Sequence, residues 1–150
     1  MKKRILFLCT GNAARSQMAE ALARLDWGDR VDPVSAGSRP AGWVHPTAIR
    51  AMEELGASME RATSKSADAF LEEDFDAVVT VCDSAARDCP AWPGARRLVH
   101  WPIEDPSSAW RDPQREWERF LETRDDLRER IRGLVAELCA DPATPPGRDS

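Results

Sequence analysis

The sequence predicts an α/β fold, a three-layer α/β/α sandwich around a four-stranded parallel sheet. Three observations point there. Short apolar runs with sharp boundaries, Ile5-Leu6-Phe7-Leu8 and Ala77-Val78-Val79-Thr80-Val81-Cys82, read as strands covered on both faces. Stretches with apolar residues at helical spacing lie between and after them. The resulting order, β-α-β-α-α-β-(helix)-β-α, favours right-handed crossovers onto a parallel sheet. At 150 residues the chain is the length of one domain and can bury a single core without staples. The expected organisation is one domain over residues 1–140. A disordered tail is expected over 141–150, where three prolines and a glycine cannot hold a helix.

In order, residues 5–8 form the first strand. Met1-Lys2-Lys3-Arg4 is basic, but the apolar run after it is too short for a secretory core, so a cytoplasmic protein is expected. A helix follows with Met18, Leu22 and Leu25 along one side, ending near Trp27-Gly28. Residues 31–37 read as a second strand, and Pro33 suggests a sheet edge. After a loop, His45-Pro46 opens a second helix with Ile49, Met52 and Leu55 buried and Gly56 as its stop. His45, beside a proline at a helix start, reads as structural. Residues 64–73 are expected to form a short helix with Ala67, Phe70 and Leu71 turned inward and a solvated acidic end. Residues 77–82 and 97–101 are the third and fourth strands. Asp112 caps the last helix and Pro113 occupies its first turn. There Trp117, Phe120, Leu121, Leu127, Ile131, Leu134 and Leu138 make the apolar stripe. Glu118, Arg119, Arg124, Asp125, Arg128 and Glu129 make the solvent face.

The net charge of −5 gives no sign of a nucleic-acid or anionic-membrane partner. No apolar stretch approaches the ~20 residues that span a bilayer. The four cysteines, Cys9, Cys82, Cys89 and Cys139, need a purpose other than a structural disulfide framework, which a reducing cytosol would not maintain. Cys139 lies outside any motif.

The chemistry is concentrated in Cys9-Thr10-Gly11-Asn12-Ala13-Ala14-Arg15-Ser16, where a strand hands the chain to a helix. A tight loop there aims successive backbone N–H groups inward, and the helix N-terminus adds partial positive charge. Arg15 brings a planar guanidinium suited to a tetrahedral oxyanion. A thiol at the start of such a loop meets a concentrated positive potential, which favours the thiolate. Cys9 is therefore the candidate nucleophile beneath an oxyanion cradle. Cys9 ends the first strand and Cys82 the third, so a parallel sheet puts both on its ligand side.

The spacing C-x5-R-S after a strand resembles that of protein tyrosine phosphatases, and its N-terminal position is similar to the low-molecular-weight branch. The string from Cys9 through Asn12, with Arg15-Ser16-Gln17-Met18-Ala19-Glu20, resembles the arsenate reductases built on that phosphatase fold. The resemblance covers about residues 3 to 138. It implies a low-molecular-weight phosphatase-like fold and an oxyanion site made of Thr10, Gly11, Asn12, Ala13, Ala14, Arg15 and Ser16. It further implies Asp105, in an Asp-Pro pair, as the general acid that a departing oxygen requires. Cys82 and Cys89, set in Cys82-Asp83-Ser84-Ala85-Ala86-Arg87-Asp88-Cys89, resemble the redox pair that relays oxidation away from the site. The implied substrate is arsenate, with phosphate or sulfate as competitors. The implied partner is thioredoxin or another dithiol reductant, acting on a monomer without a cofactor. Where related reductases hold a potassium ion on residues matching Asn12, Glu20 and Thr63, this chain has Lys65 in place of an Asp ligand. An ammonium there is expected to pair with Glu20 and substitute for the cation.

Two features bear on alternatives. Ser107 follows Asp105-Pro106 where phosphatases of this branch carry an aromatic residue, and the chain has no Tyr, so an aromatic wall for a phosphotyrosine ring is expected to be missing. A phosphatase using Cys9, Arg15 and Asp105 alone stays open, as does a non-catalytic oxyanion-binding protein. Residues 83–89 are expected to be helical when reduced. Seven residues of helix would separate the Cys82 and Cys89 Cα atoms by roughly 10 Å. A disulfide needs about 4.4–6.8 Å, so oxidation would have to unwind the segment.

Overall fold

The structure, a computed structural model, describes residues 2–82 and 92–140. The segment from 83 to 91, with Cys89 and the expected redox helix, lies outside the described residues, as does the tail from 141. The described chain runs β1 (Lys3–Cys9), α1 (Arg15–Trp27), β2 (Val31–Gly37), α2 (Pro46–Glu53), a 3-10 turn (Ala67–Phe70), β3 (Ala77–Cys82), β4 (Leu98–Pro102), a second 3-10 turn (Pro106–Ala109) and α3 (Pro113–Cys139). The four strands form one parallel sheet in the order β2-β1-β3-β4. Pro33 lies on β2, at the sheet edge, where a missing N–H costs no ladder bond on the open side.

Alternation along β1 divides the core. Ile5 and Phe7 face a cluster with Met18 and Leu22 of α1, Ala48, Ala51 and Met52 of α2, and Phe120, Leu127 and Ile131 of α3. Leu6 and Leu8 face the other side, with Ala36, Ala67, Val78, Phe75 and Trp92. A strand buried on both faces must be apolar throughout, which is why the run from Ile5 to Leu8 is unbroken.

Four expectations are corrected. The stretch 64–73 is helical only as the 3-10 turn Ala67–Phe70, because Ser66 is held extended in a bridge to Gly37 and its side chain caps the turn at Asp68 N. Leu71 then falls beyond the turn and is 48% exposed. Leu25 is likewise exposed, and Ala19 and Ala23 fill the α1 face. In α2 the deepest positions are Ala48, Ala51 and Met52, with Ile49 and Leu55 packed at the margin. Arg124 is buried: its guanidinium donates to the Ala51 carbonyl (3.0 Å) and to Glu54 (2.6 Å), joining α3 to the end of α2. That pairing with Glu54 and Asp125 raises the Arg124 pKa against the opposing effect of burial, the largest single influence. Arg128 clasps Asp26 with two bonds of 2.7 and 2.8 Å, joining α3 to α1.

Candidate active site

β1 delivers Cys9 to the carboxyl edge of the sheet, and the chain crosses to α1 through residues 10–14. Every carbonyl of this crossing is engaged by a neighbour. The Cys9 carbonyl accepts from Ser38 N (3.3 Å), Thr10 from Arg39 N (2.9 Å), Gly11 from Ala41 N (2.9 Å) and Ala13 from His45 N (2.8 Å). Gly11 also accepts from Ser64 Oγ (3.1 Å), Asn12 from Gln17 Nε2 (3.1 Å), and Ala14 from Met18 N (2.9 Å). The peptides of this loop are trans, so each N–H points opposite the preceding carbonyl. The amides of residues 10–15 therefore turn to the inside of the loop, the arrangement of a backbone nest that can take an anion. Among the described residues no side chain caps α1, whose N-cap is Ala14, and its first turn carries no acid. A helix start left open in this way keeps its dipole and amides for a ligand.

Two positions let the loop close. Asn12 takes a left-handed φ of 48°, uncommon outside glycine. Gly37, ending β2, passes so near that a Cβ there would lie 2.5 Å from the Thr10 carbonyl oxygen and 3.0 Å from Asn12 N.

Cys9 is 7% exposed. Its Sγ receives the Asn12 N–H at 3.2 Å and lies 2.8 Å from Ser16 Oγ, which in turn receives Asn12 Nδ2 at 2.8 Å. Arg15, also buried, donates from Nη1 to the Ile103 carbonyl at 2.7 Å. Ile103 lies just past β4 and two residues before Asp105, so one bond ties the loop to the segment that carries Asp105. Asp105 caps the turn Pro106–Ala109 by accepting Ser107 N (2.9 Å) and Ser107 Oγ (2.7 Å), both on Oδ1. Cys9, Gly11, Ala13, Ala14, Arg15 and Asp105 line one cleft of about 340 Å³.

Lys65 approaches from the segment beyond α2. Its backbone N–H donates to Asn12 Oδ1 (2.7 Å), and its ammonium donates to the Thr63 carbonyl (2.7 Å) and stands 3.8 Å from Glu20 Oε1. Half-burial lowers the Lys65 pKa, Glu20 works against that, and Arg24 adds to it. Glu20 also binds Ser35 Oγ (2.6 Å) and Arg24 (3.0 Å). Cys82 ends β3 opposite Pro102 on the strand beside β1, at the same edge of the sheet as Cys9.

Several site residues are absent from the sequence reading. Trp43 and Trp110, 52% and 65% exposed, line the cleft from two different loops. They correct the expectation of a site without an aromatic wall; the available signal was a tryptophan shortly after Asp105-Pro106 and another just before His45. His45 does the structural work expected of it, with Nδ1 accepting Thr47 N (3.1 Å) at the start of α2, and it also lines the cleft. Its ring stacks on Phe120 (4.8 Å between centroids) and Trp43 (5.5 Å). Gln17, buried in α1, meets Asn12 and Thr63.

Residues 4–143 match the family model described as low molecular weight phosphotyrosine protein phosphatase. An arsenate reductase of Halalkalibacterium halodurans is 43% identical over 131 residues, covering 87% of this chain and 94% of that protein. A solved structure described as an arsenate reductase in the phosphate binding state is 32% identical with a TM-score of 0.79, over 92% of this chain and 99% of that one. A thioredoxin-dependent arsenate reductase of Corynebacterium glutamicum aligns with a TM-score of 0.71 at 29% identity, over 91% of this chain and 62% of that one. By its sequence, its sheet order and the loop between β1 and α1, the chain belongs to the low molecular weight phosphotyrosine protein phosphatase family.

Proposed function

We propose that the protein reduces arsenate to arsenite. The observation that carries this reading is the Cys9 sulfur at the floor of a nest of inward amides, with Arg15 and Asp105 on the same cleft. The similarity to arsenate reductases over most of the chain supports arsenate as the oxyanion. Arsenate lies on the loop amides and the Arg15 guanidinium. The Cys9 thiolate attacks arsenic and forms an S–As bond, while one oxygen leaves as water. Asp105 supplies the proton, from Oδ2, since Oδ1 is held by Ser107. The Cys82 thiolate then attacks Cys9 Sγ. A disulfide forms, the S–As electron pair passes to arsenic, and As(V) leaves as As(III). Cys89 attacks Cys82, freeing Cys9, and an external dithiol reduces the Cys82–Cys89 disulfide. The place of Cys82 at the end of the strand adjoining β1 supports its part, and the thioredoxin-dependent relative supports a thioredoxin-type reductant.

The test is arsenite production with thioredoxin, glutaredoxin and small thiols supplied separately. The parent is expected to turn over with a dithiol protein. Cys89→Ser should stop after one turnover as a Cys9–Cys82 disulfide, and sustained cycling in that variant would overturn the relay. Lys65 completes the proposal as a built-in cation, because its ammonium already satisfies the Thr63 carbonyl. Potassium should then change activity and melting temperature little, and a large potassium-specific stabilisation absent with sodium would reject it.

One observation favours a second reading. Trp43 and Trp110 beside the cradle could hold the ring of an aryl phosphate, which a phosphatase requires and arsenate does not. Hydrolysis of an aryl phosphate at full rate in Cys82→Ser, without arsenite production in the parent, would select it.

A further inference from the structure

The reaction just described has no task for Gln17, yet its side chain is 2% exposed and its amide nitrogen meets three oxygens. These are Thr63 O at 2.8 Å, Asn12 Oδ1 at 2.9 Å and Asn12 O at 3.1 Å. Two of the three are backbone carbonyls, which only accept, so the atom facing them is the nitrogen. Asn12 is fixed in the same way. Its Oδ1 takes the Lys65 backbone N–H at 2.7 Å as well as Gln17, so that atom is the oxygen, and Nδ2 is the one directed at Ser16 Oγ. With Ser16 Oγ accepting from Asn12, the serine's own hydrogen is left for Cys9 Sγ, 2.8 Å away. The donors thus run one way: from Gln17 and Lys65 to Asn12, from Asn12 to Ser16, and from Ser16 to the sulfur.

We infer that Gln17 is a positioning residue that sets the direction of this hydrogen-bond chain and so keeps Cys9 Sγ an acceptor, ready as the attacking anion. The inference rests on the reading of Cys9 as the nucleophile. It accounts for all three contacts of the carboxamide nitrogen. The bond to Asn12 Oδ1 orients the asparagine head group. The bond to Asn12 O holds that carbonyl outward, which turns the next amide into the nest and maintains the left-handed backbone at Asn12. The bond to Thr63 ties the first turn of α1 to the segment that brings Lys65 N–H to the same oxygen. A side chain without donors leaves the Asn12 carbonyl without its partner and Asn12 Oδ1 with the Lys65 N–H alone, while the Thr63 carbonyl keeps the Lys65 ammonium; Asn12 then turns its head group over more readily. Ser16 would receive an oxygen in place of a hydrogen, and its hydroxyl would turn from the sulfur to that oxygen.

The experiment uses the full chain with Cys82, Cys89 and Cys139 replaced by Ser, so that Cys9 is the one thiol. Iodoacetamide alkylation is followed across pH, and affinity for inorganic phosphate is measured beside it. Arg15, His45 and Asp105, the titratable groups that line the cleft with Cys9, are kept in every variant. Gln17→Met preserves length and removes the donors. It should slow alkylation near neutral pH by about tenfold, moving the profile up by about one pH unit. Phosphate binding should weaken severalfold. Gln17→Asn stays polar but falls one methylene short, and should move both measurements the same way by less; it carries the test if Gln17→Met does not fold. In a Ser16→Ala background the chain is already cut, so Gln17→Met should add little. A folded Gln17 variant with a lower melting temperature but an unmoved profile overturns the inference, because it shows packing alone. So does a Gln17 effect of equal size with Ser16 absent. Alkylation involves no arsenic chemistry, so failure to make arsenite would sink the reductase reading and leave this result standing.

Discussion

At the residue scale, geometry matters more than charge. Arg15 reaches the cleft with a planar fork, anchored by one N–H on the Ile103 carbonyl. Arg15→Lys keeps the charge and loses both the fork and the tie to Ile103, two residues before Asp105. Its kcat/KM for arsenate should fall on the order of 10²-fold, the scale of losing an oxyanion donor. Steady-state kinetics checks this, and a lysine variant within a factor of three of the parent would contradict it. Gly37 is constrained by close approach, since its φ is ordinary while a Cβ would strike the backbone of the loop at Thr10 and Asn12. Gly37→Ala should therefore displace the nest and cost activity by a similar factor, with β2 itself intact by circular dichroism. Lys65 is a separate case, because burial lowers its pKa below the ordinary lysine value. Between the lowered value and 10.5 the unfolded chain holds more protons, so this contribution to stability rises with pH across that window and is unfavourable below it. Lys65→Arg cannot titrate there. The stability difference between parent and variant in urea unfolding should shift toward the parent as pH climbs from 7 to 10, and a constant difference would show that burial of Lys65 carries no such cost.

At the element scale, α3 organises one face of the sheet. Its boundaries were readable because both signals are local: Asp112 accepts Arg115 N and Pro113 follows at once. β1 and β3 were readable for the same reason, an unbroken apolar run with sharp ends. What could not be read depends on partners distant in sequence. Arg124 looked like a surface arginine until α2 placed the Ala51 carbonyl and Glu54 against it, some seventy residues away. Leu71 looked like a core position until the bridge between Gly37 and Ser66 took the preceding residues out of helical geometry. Phe120 joins α3 to the site, packing in the core while its ring meets His45, whose backbone N–H holds the Ala13 carbonyl. Phe120→Ala should cost about 3–5 kcal/mol in unfolding free energy, the usual scale for a buried phenylalanine. Oxyanion affinity should also weaken through His45. Denaturant titration and phosphate binding on the same sample check both, and a stability loss without any change in affinity would separate α3 from the loop.

At the scale of the whole molecule, the nest is where separate parts of the chain meet. β1 supplies its base and α1 its end. Residues 38–45 hold four of its carbonyls, Lys65 and Ser64 hold Asn12 and Gly11, and Ile103 holds Arg15. The motif itself was legible from a few adjacent residues, whereas this convergence was not, since it depends on the sheet order that sets β2 and β3 on either side of β1. One consequence is thermodynamic. An oxyanion on the loop amides engages a structure that exists only when all these segments are folded, so its binding adds to global stability by mass action. At one hundred times its dissociation constant the gain is about 2.7 kcal/mol. For a chain of this length that is roughly 5–10 °C in melting temperature. Sulfate and phosphate should therefore raise the melting temperature well above what chloride does at equal ionic strength. In Arg15→Lys most of the difference should disappear, because the guanidinium fork is what distinguishes a tetrahedral oxyanion from a spherical one. Equal melting curves in sulfate and chloride for the parent would mean that the loop binds no oxyanion in its folded form. The cradle would then have to be given up before any question of arsenic chemistry arose.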